Sequence, residues 1–308
     1  MALKSYTSTR IGLMARMREG LHLYRQHARD IPEQVRITIS RLRQLEALVL
    51  EHTGMTVAKQ RVLEIGPGQK LRQMIYFACH NDVTGVDLDV IPTGLRPGPY
   101  FTMLRKNGVI RTGKTVTRKL LGLDSQFTAE LLRQLEVSRT PRLDIRQMDA
   151  TKLAFPDRTF GFVFSASVFE HLPEPAKVLD EVVRVLRPGG SVCIALHLYT
   201  SDNGIHDPRI FSGNREGIPL WAHLRPAHAH KASPNTYLNK LRLGAWETLL
   251  REKMPTVRLE RMQYAKDYFL EEAAKIRDGG ELADYSDEEL VTVDLVAIWK
   301  KPEQGAGE

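Results

Sequence analysis

Five short apolar runs recur between residues 61 and 199, and they constrain the fold more than any other feature. They read RVLEIG (61–66), VTGVDLD (83–89), LDIRQMD (143–149), FGFVFSAS (160–167) and SVCIALHLY (191–199). Each is rich in branched or aromatic residues and too short for a helix, as expected of strands buried on both faces. Helical patterns follow the first run and occupy about 175–186, and strands alternating with helices build a parallel sheet covered on both sides. RPGG (187–190) stops the second of these helices with Pro and Gly in the expected places. VRLERMQYA (257–265) and ELVTVDLVAIWKK (289–301) read as two closing strands.

Outside the alternation, residues 8–28 and 32–53 read as two helices separated by DIP (30–32), where Asp30 caps and Pro32 sits in the first turn. SPNTYLNKLRLGAWETLLREK (233–253) reads as another, with Ser233 as its cap and Pro234 just inside. Between the second and third strands stand residues 90–142, an insertion where a short helix and turns would suffice; it overhangs the ligand-binding end of the sheet, and its LDSQFTAELLRQLE portion (123–136) reads as a lid helix. A chain of 308 residues with 42% hydrophobic content suits one large α/β domain with additions. The expected division is a helical extension over 1–55, a main domain over 56–302 and a disordered tail over 303–308. Within the main domain, 90–142 is a basic insertion and 200–232 a substrate-facing loop.

Two glycine loops compete for a nucleotide. GVIRTGKT (108–115) fits the phosphate-binding pattern G-x-x-x-x-G-K-[ST], but PYFTMLRKN before it is not a buried strand. Phosphate binding needs backbone amides held rigid between strand and helix, so the match is set aside. VLEIGPGQK (62–70) follows an apolar strand and opens a helix. It puts glycine at 66 and 68, yet Leu71 stands where a dinucleotide fingerprint needs its third glycine. Ligands of such sheets bind beyond the carboxyl ends of the strands. There stand Glu64, Asp87 and Asp149, which would repel a pyrophosphate and suit a ligand carrying cations, hydroxyls and an exocyclic amine. S-adenosylmethionine (SAM) has that description.

At this point the sequence resembles the class I SAM-dependent methyltransferases, most closely the broad small-molecule, type 11-like group with EIGPG loops. The resemblance covers residues 61–200 and rests on VLEIGPG, GVDLD, MDATKLAFPDRTFGFVFSASVFEHL and LDEVVRVLRPGG in that order. It implies a Rossmann-like seven-stranded sheet, mostly parallel with the last strand antiparallel, carrying N-terminal helices and the insertion between strands 2 and 3. It also implies that Glu64, Gly66 and Gly68 line the methionine and ribose portion, and that Asp87 accepts from the ribose hydroxyls. Asp149 would take the adenine amine beside the Ala150 amide, and Ser165 would face the methionine end. Two positions depart from the pattern: Gln69 replaces a third glycine, and Gly161 stands where related strands carry Asp.

A hydroxyl acceptor needs a base beside the methyl group. The candidates are His197, or the His206 and Asp207 pair, with Glu170 and His171 shaping the pocket. No metal ligands are assigned, although the histidines of 197–230 leave a divalent metal open. LHLYTSDNGIHDPRIF faintly resembles glycan-associated methyltransferases and tilts the acceptor towards a sugar or polyol hydroxyl. The stretch from Val90 to Leu143 holds ten Lys or Arg against three acids, a net +7 equal to that of the whole chain. Such charge attracts an anionic acceptor or, as the alternative reading, a nucleic acid. A non-catalytic scaffold is the third reading, opposed by the intact acids. No apolar run is long enough to cross a bilayer, although peripheral membrane contact stays open. Cys79 and Cys193 are too few for a disulfide framework, and the cytoplasm is the expected compartment.

Overall fold

A computed structural model describes residues 30–303 except 95 and 216. The 8–28 helix and the 304–308 part of the tail lie outside the described residues. Helix α1 (Ile31–Thr53) starts as the sequence foretells: the Asp30 side chain accepts from the Glu33 amide, Pro32 fills the first turn, and Gly54 closes the helix in the left-handed region. The chain continues through β1 (Arg61–Ile65), α2 (Arg72–Ala78) and β2 (Asp82–Asp87), and then through the insertion helices α3 (Pro97–Asn107), α4 (Val109–Leu120) and α5 (Leu123–Gln134). It returns as β3 (Asp144–Gln147), β4 (Phe160–Ala166), α6 (Pro175–Val185), β5 (Leu186–His197) and the short α7 (Pro208–Phe211). α8 (Leu243–Lys253), β6 (Arg258–Gln263), α9 (Lys266–Asp278), α10 (Asp287–Val291) and β7 (Thr292–Lys300) complete it.

The seven strands lie in the order β3-β2-β1-β4-β5-β7-β6, and β7 alone runs against its neighbours. The expected sheet is therefore present. Its order reverses between β1 and β4, which pair in parallel, and a crevice opens at that reversal beyond their carboxyl ends. One face is covered by α1, α2 and α5, whose Val35, Leu42, Phe77 and Leu131 pack on Val62, Phe164 and Ile298. The other is covered by α6 and α8, through Val178, Val182, Trp246 and Leu250.

Several elements differ from expectation. Only α8 of the 233–253 helix exists. Residues 233–242 form neither helix nor strand and cross the turn after β4, where the Asn239 side chain donates to the carbonyls of Phe169 and Leu172. Those tertiary bonds hold backbone that helix propensity alone would have coiled. Residues 289–291 end a helix, not a strand, because Ser286 and Glu289 form a reciprocal cap at its start. β5 begins directly after α6, and its register against β4 shifts between Phe160 and Phe162, so that RPGG bulges within the strand. GVIRTGKT is α4 with Gly108 at its cap, which removes the phosphate loop altogether. α5 is no lid: Phe127 and Leu131 bury it against α1.

The 200–232 loop has a small core of its own, built on Ile205, Ile218 and Ala222. Asp202 pins it, bonding Arg215 at 2.6 Å and the buried Trp221 amide at 2.8 Å.

Candidate active site

A cavity of about 370 Å³ occupies the crevice at the β1/β4 reversal. Gly66, Gly68, Asp87, Asp149, Ala150 and His171 all line it, as expected from sequence. Gly66 has φ +71°, and an added Cβ would stand 2.4 Å from a Val168 methyl, so no other residue fits. Gly68 also has positive φ, but nothing lies within 4 Å of the missing Cβ, which leaves its backbone open to a ligand.

The acids are held in distinct ways. Asp87 accepts from the amides of Gly68 (3.3 Å) and Asp89 (2.8 Å). Burial pushes its carboxyl up to about 6, although these amides and Arg111 pull the other way. Asp149 accepts from the Thr151 amide and hydroxyl at 2.9 and 2.8 Å, which fixes the turn after β3. Glu64 does not line the cavity. It is buried beside Asp87, and burial followed by that neighbouring charge pushes it up to about 8. Its Oε2 is fully buried without a hydrogen-bond partner. An uncompensated acid beside a glycine-floored crevice fits a cationic ligand with a ribose, and does not fit a phosphate.

Ser165 is the misplaced member of the cofactor set. It is wholly buried, and its hydroxyl donates to the Ile65 carbonyl at 3.0 Å, tying β4 to β1. The serine at the cavity wall is Ser167, with φ +54° and its amide donating to the Ala195 carbonyl. Period-two alternation does not distinguish 165 from 167, since both point the same way along an ideal strand; only the end of β4 at Ala166 separates them.

Ser167 also lines a second, larger opening of about 750 Å³, walled by Arg36 and Arg41 of α1, His197, His206, Phe211 and Tyr264. His197 is buried, with Nδ1 3.1 Å from Asp294 and Nε2 3.0 Å from the Asn203 side-chain oxygen. Asp294 in turn accepts from Arg41 at 2.9 Å. The His206 ring stands edge-on to both His197 and His171, with centroids 5.0 and 4.8 Å apart. Burial, then the neighbouring imidazoles, push His206 down to about 3, so it is neutral and carries a lone pair at any working pH. Burial also lowers His171, whose Nδ1 lies 2.8 Å from the Tyr237 carbonyl.

Asp207 does not join this cluster. Its carboxylate caps α7, grips Arg209 at 2.6 Å and accepts from the Ser233 amide at 2.8 Å. Burial raises its pKa, but those partners outweigh burial and leave it below the usual range. It anchors the loop and is not half of a catalytic pair. His223 likewise serves structure, with Nε2 2.8 Å from the Tyr199 carbonyl.

Arg111, read in the sequence only as one of the ten basic residues of 90–143, pairs with Asp89 at the cavity rim. This one residue of GVIRTGKT reaches the site, through a helix and not a glycine loop. Arg41 and Asp294, 253 positions apart, had no local signal that could have found them.

A sheet of this order, with a glycine turn after β1 and acids ending β1 and β2 and following β3, defines a Rossmann-like nucleoside-cofactor domain. Residues 99–194 match the family model described as a methyltransferase domain. With that match and the four motifs, residues 61–200 are similar to the class I SAM-dependent methyltransferases. A stretch of 69 residues is 42% identical to a phosphatidylethanolamine N-methyltransferase of Cereibacter sphaeroides, covering 22% of this chain and 34% of that protein. Another, of 76 residues, is 40% identical to a probable S-adenosylmethionine-dependent methyltransferase of Mycolicibacterium smegmatis, covering 24% and 28%. The chain thus spans about a third or less of the length of these relatives. A solved phosphoethanolamine N-methyltransferase 2 of Haemonchus contortus, in complex with SAM, aligns over 84% of this chain and 52% of that one, with 18% identity and a TM-score of 0.42. Among the described residues no helix is long and apolar enough to cross a membrane.

Proposed function

We propose that this protein transfers a methyl group from SAM to a hydroxyl of a small molecule, a sugar or polyol being the favoured class. One observation carries the reading: the glycine-and-acid cavity and the histidine-walled opening meet at Ser167. Donor and acceptor can therefore approach the same wall from two sides. SAM, when bound, supplies an electrophilic methyl on a sulfonium. Gly66 and Gly68 would admit it to the backbone, Asp87 would accept from the ribose hydroxyls, and Asp149 with the Ala150 amide would hold the adenine. Glu64 would act from behind the wall, the bound sulfonium drawing its raised carboxyl towards the charged form.

On the acceptor side, holding the nucleophile in line supplies much of the rate. His197 is tied to Asp294 and Asn203, while His206 Nε2 has no hydrogen-bond partner. His206 is therefore the group available to accept the acceptor's proton, and His197 a positioning residue. An amine acceptor, which the name of the Cereibacter relative would suggest, can lose its proton to water before attack and so depends less on a base in the wall. The nucleic-acid reading loses support, because Arg111, Arg118 and Arg133 are engaged by Asp89, Asp124 and Glu130.

Calorimetry tests the donor half: SAM should bind and Asp87→Ala should weaken it at least tenfold. Labelled SAM incubated with fractionated small-molecule extract tests the acceptor half. No binding at millimolar SAM would overturn the reading.

A further inference from the structure

Glu170 is 2% exposed, and neither carboxyl oxygen has a well-formed hydrogen bond, although the backbone amides of Glu170 and His197 lie near enough to favour its charge against burial. A buried carboxyl left this way is expensive and calls for an explanation. Two imidazole nitrogens face it: His171 Nε2 at 3.9 Å and His206 Nε2 at 4.0 Å, both from Oε1. These separations are too long for hydrogen bonds. All three residues can present one ligand atom each within 4.8 Å of the others. Ligands about 2.0–2.2 Å from a tetrahedral zinc stand roughly 3.3–3.6 Å apart. A contraction of about half an ångström between Glu170 and each imidazole, and of up to about 1.5 Å between the widest pair of atoms, would then bring them onto one ion.

We propose that Glu170, His171 and His206 form a divalent-metal site for a borderline ion of the zinc class, with two nitrogen ligands, one oxygen ligand and an open position. The surroundings are built accordingly. His171 Nδ1 lies 2.8 Å from the Tyr237 carbonyl, so its proton points there and Nε2 presents a lone pair. The segment that supplies this carbonyl is the one that departs from its expected helix. It is fastened to the Glu170 turn by the Asn239 amide, which donates to the Glu170 carbonyl at 2.9 Å. His206 holds φ +57°, a conformation unfavourable for a residue with a Cβ, and its Nε2 is buried and unpaired. Burial keeps His206 neutral and so competent as a ligand. The site lies on the border of the two cavities, since His171 lines one and His206 the other. An ion there would lower the pKa of a hydroxyl reaching its open position. His206 would then serve as ligand in place of free base. Only this last consequence rests on the methyl-transfer reading; metal binding itself does not.

The test uses the full chain stripped with a chelator, then titrated with Zn²⁺ and with Co²⁺. The expected result is one ion per chain, visible absorption bands of low-coordinate Co²⁺, a raised Tm and little effect from Mg²⁺. Glu170→Gln and His206→Asn should each weaken Zn²⁺ at least about 100-fold, since loss of an outer partner alone costs 10–100-fold. Calorimetric binding of SAM to Glu170→Gln checks folding and reports on the methyltransferase reading separately. A double change of the half-buried His228 and the exposed His230 to Ala should leave Zn²⁺ affinity untouched. No stoichiometric binding, binding unchanged in both ligand variants, or binding abolished by the His228 and His230 change would each overturn the site.

Discussion

Glu64→Gln offers the sharpest quantitative test of how the crevice is built. The carboxyl sits at about 8 in the fold against an ordinary 4.5, through burial and the Asp87 charge. An acid raised in this way keeps its proton in the fold where the unfolded chain has lost it. Stability therefore falls as pH rises from 4.5 to 8 and is level beyond. The penalty is about 1 kcal/mol at pH 5 and about 4 kcal/mol at pH 8, at 1.36 kcal/mol per pH unit. Glutamine cannot ionise, so the difference between variant and wild type should grow by roughly 3 kcal/mol over that window. The unpaired amide it introduces costs about 1–3 kcal/mol at every pH and drops out of the slope. Asp87 titrates in both proteins and cancels to first order. For a chain of this size, about 2 °C per kcal/mol gives a relative Tm change of roughly 6 °C between pH 5 and pH 8. Differential scanning fluorimetry without ligand measures it. Parallel Tm curves for the two proteins would refute the reasoning. Saturating SAM should shrink the wild-type penalty, because a cation beside Glu64 favours its charged form.

Other changes separate structure from chemistry. Asp207→Ala should lower stability by about 2–3 kcal/mol, through the loss of a buried cap and ion pair, while SAM affinity stays within twofold by calorimetry. A loss of SAM affinity equal to that of Asp87→Ala would put it back in the site. Leu131→Ala should destabilise by about 2–5 kcal/mol in urea unfolding; a change under 1 kcal/mol would mean that α5 is the mobile lid the sequence suggested. Lys114→Ala should leave both SAM affinity and nucleoside triphosphate affinity unaltered, since its loop is helix α4.

Much of this molecule was legible because the signals were local. The strand that precedes Gly66, the period change after residue 53 and the Asp30–Pro32 start of α1 each depend on a few adjacent residues. The 233–253 segment failed for the opposite reason. Its cap-like Ser233 and Pro234 are good helix openers, but the Ser233 amide is claimed by Asp207 and the Asn239 side chain by the Glu170 turn. Ser165 and Ser167 could not be told apart, because strand alternation places both on one face. The histidines of the second opening were found as residues but not as partners: His206 was joined to Asp207 by adjacency, and the fold turns that carboxylate away to Arg209.

By itself the sequence determined the sheet, its glycine turn, and the acids at and after its strand ends, because backbone conformation and alternating burial are written in neighbouring residues. Tertiary structure decided which polar groups meet. Asp294 comes to His197 from a strand 97 positions away, and Glu170 to His206 across 36 positions. Contacts of that span follow from packing the covering helices and loops onto the sheet, and whether a buried carboxyl gains a partner or stays alone is settled only when those layers close.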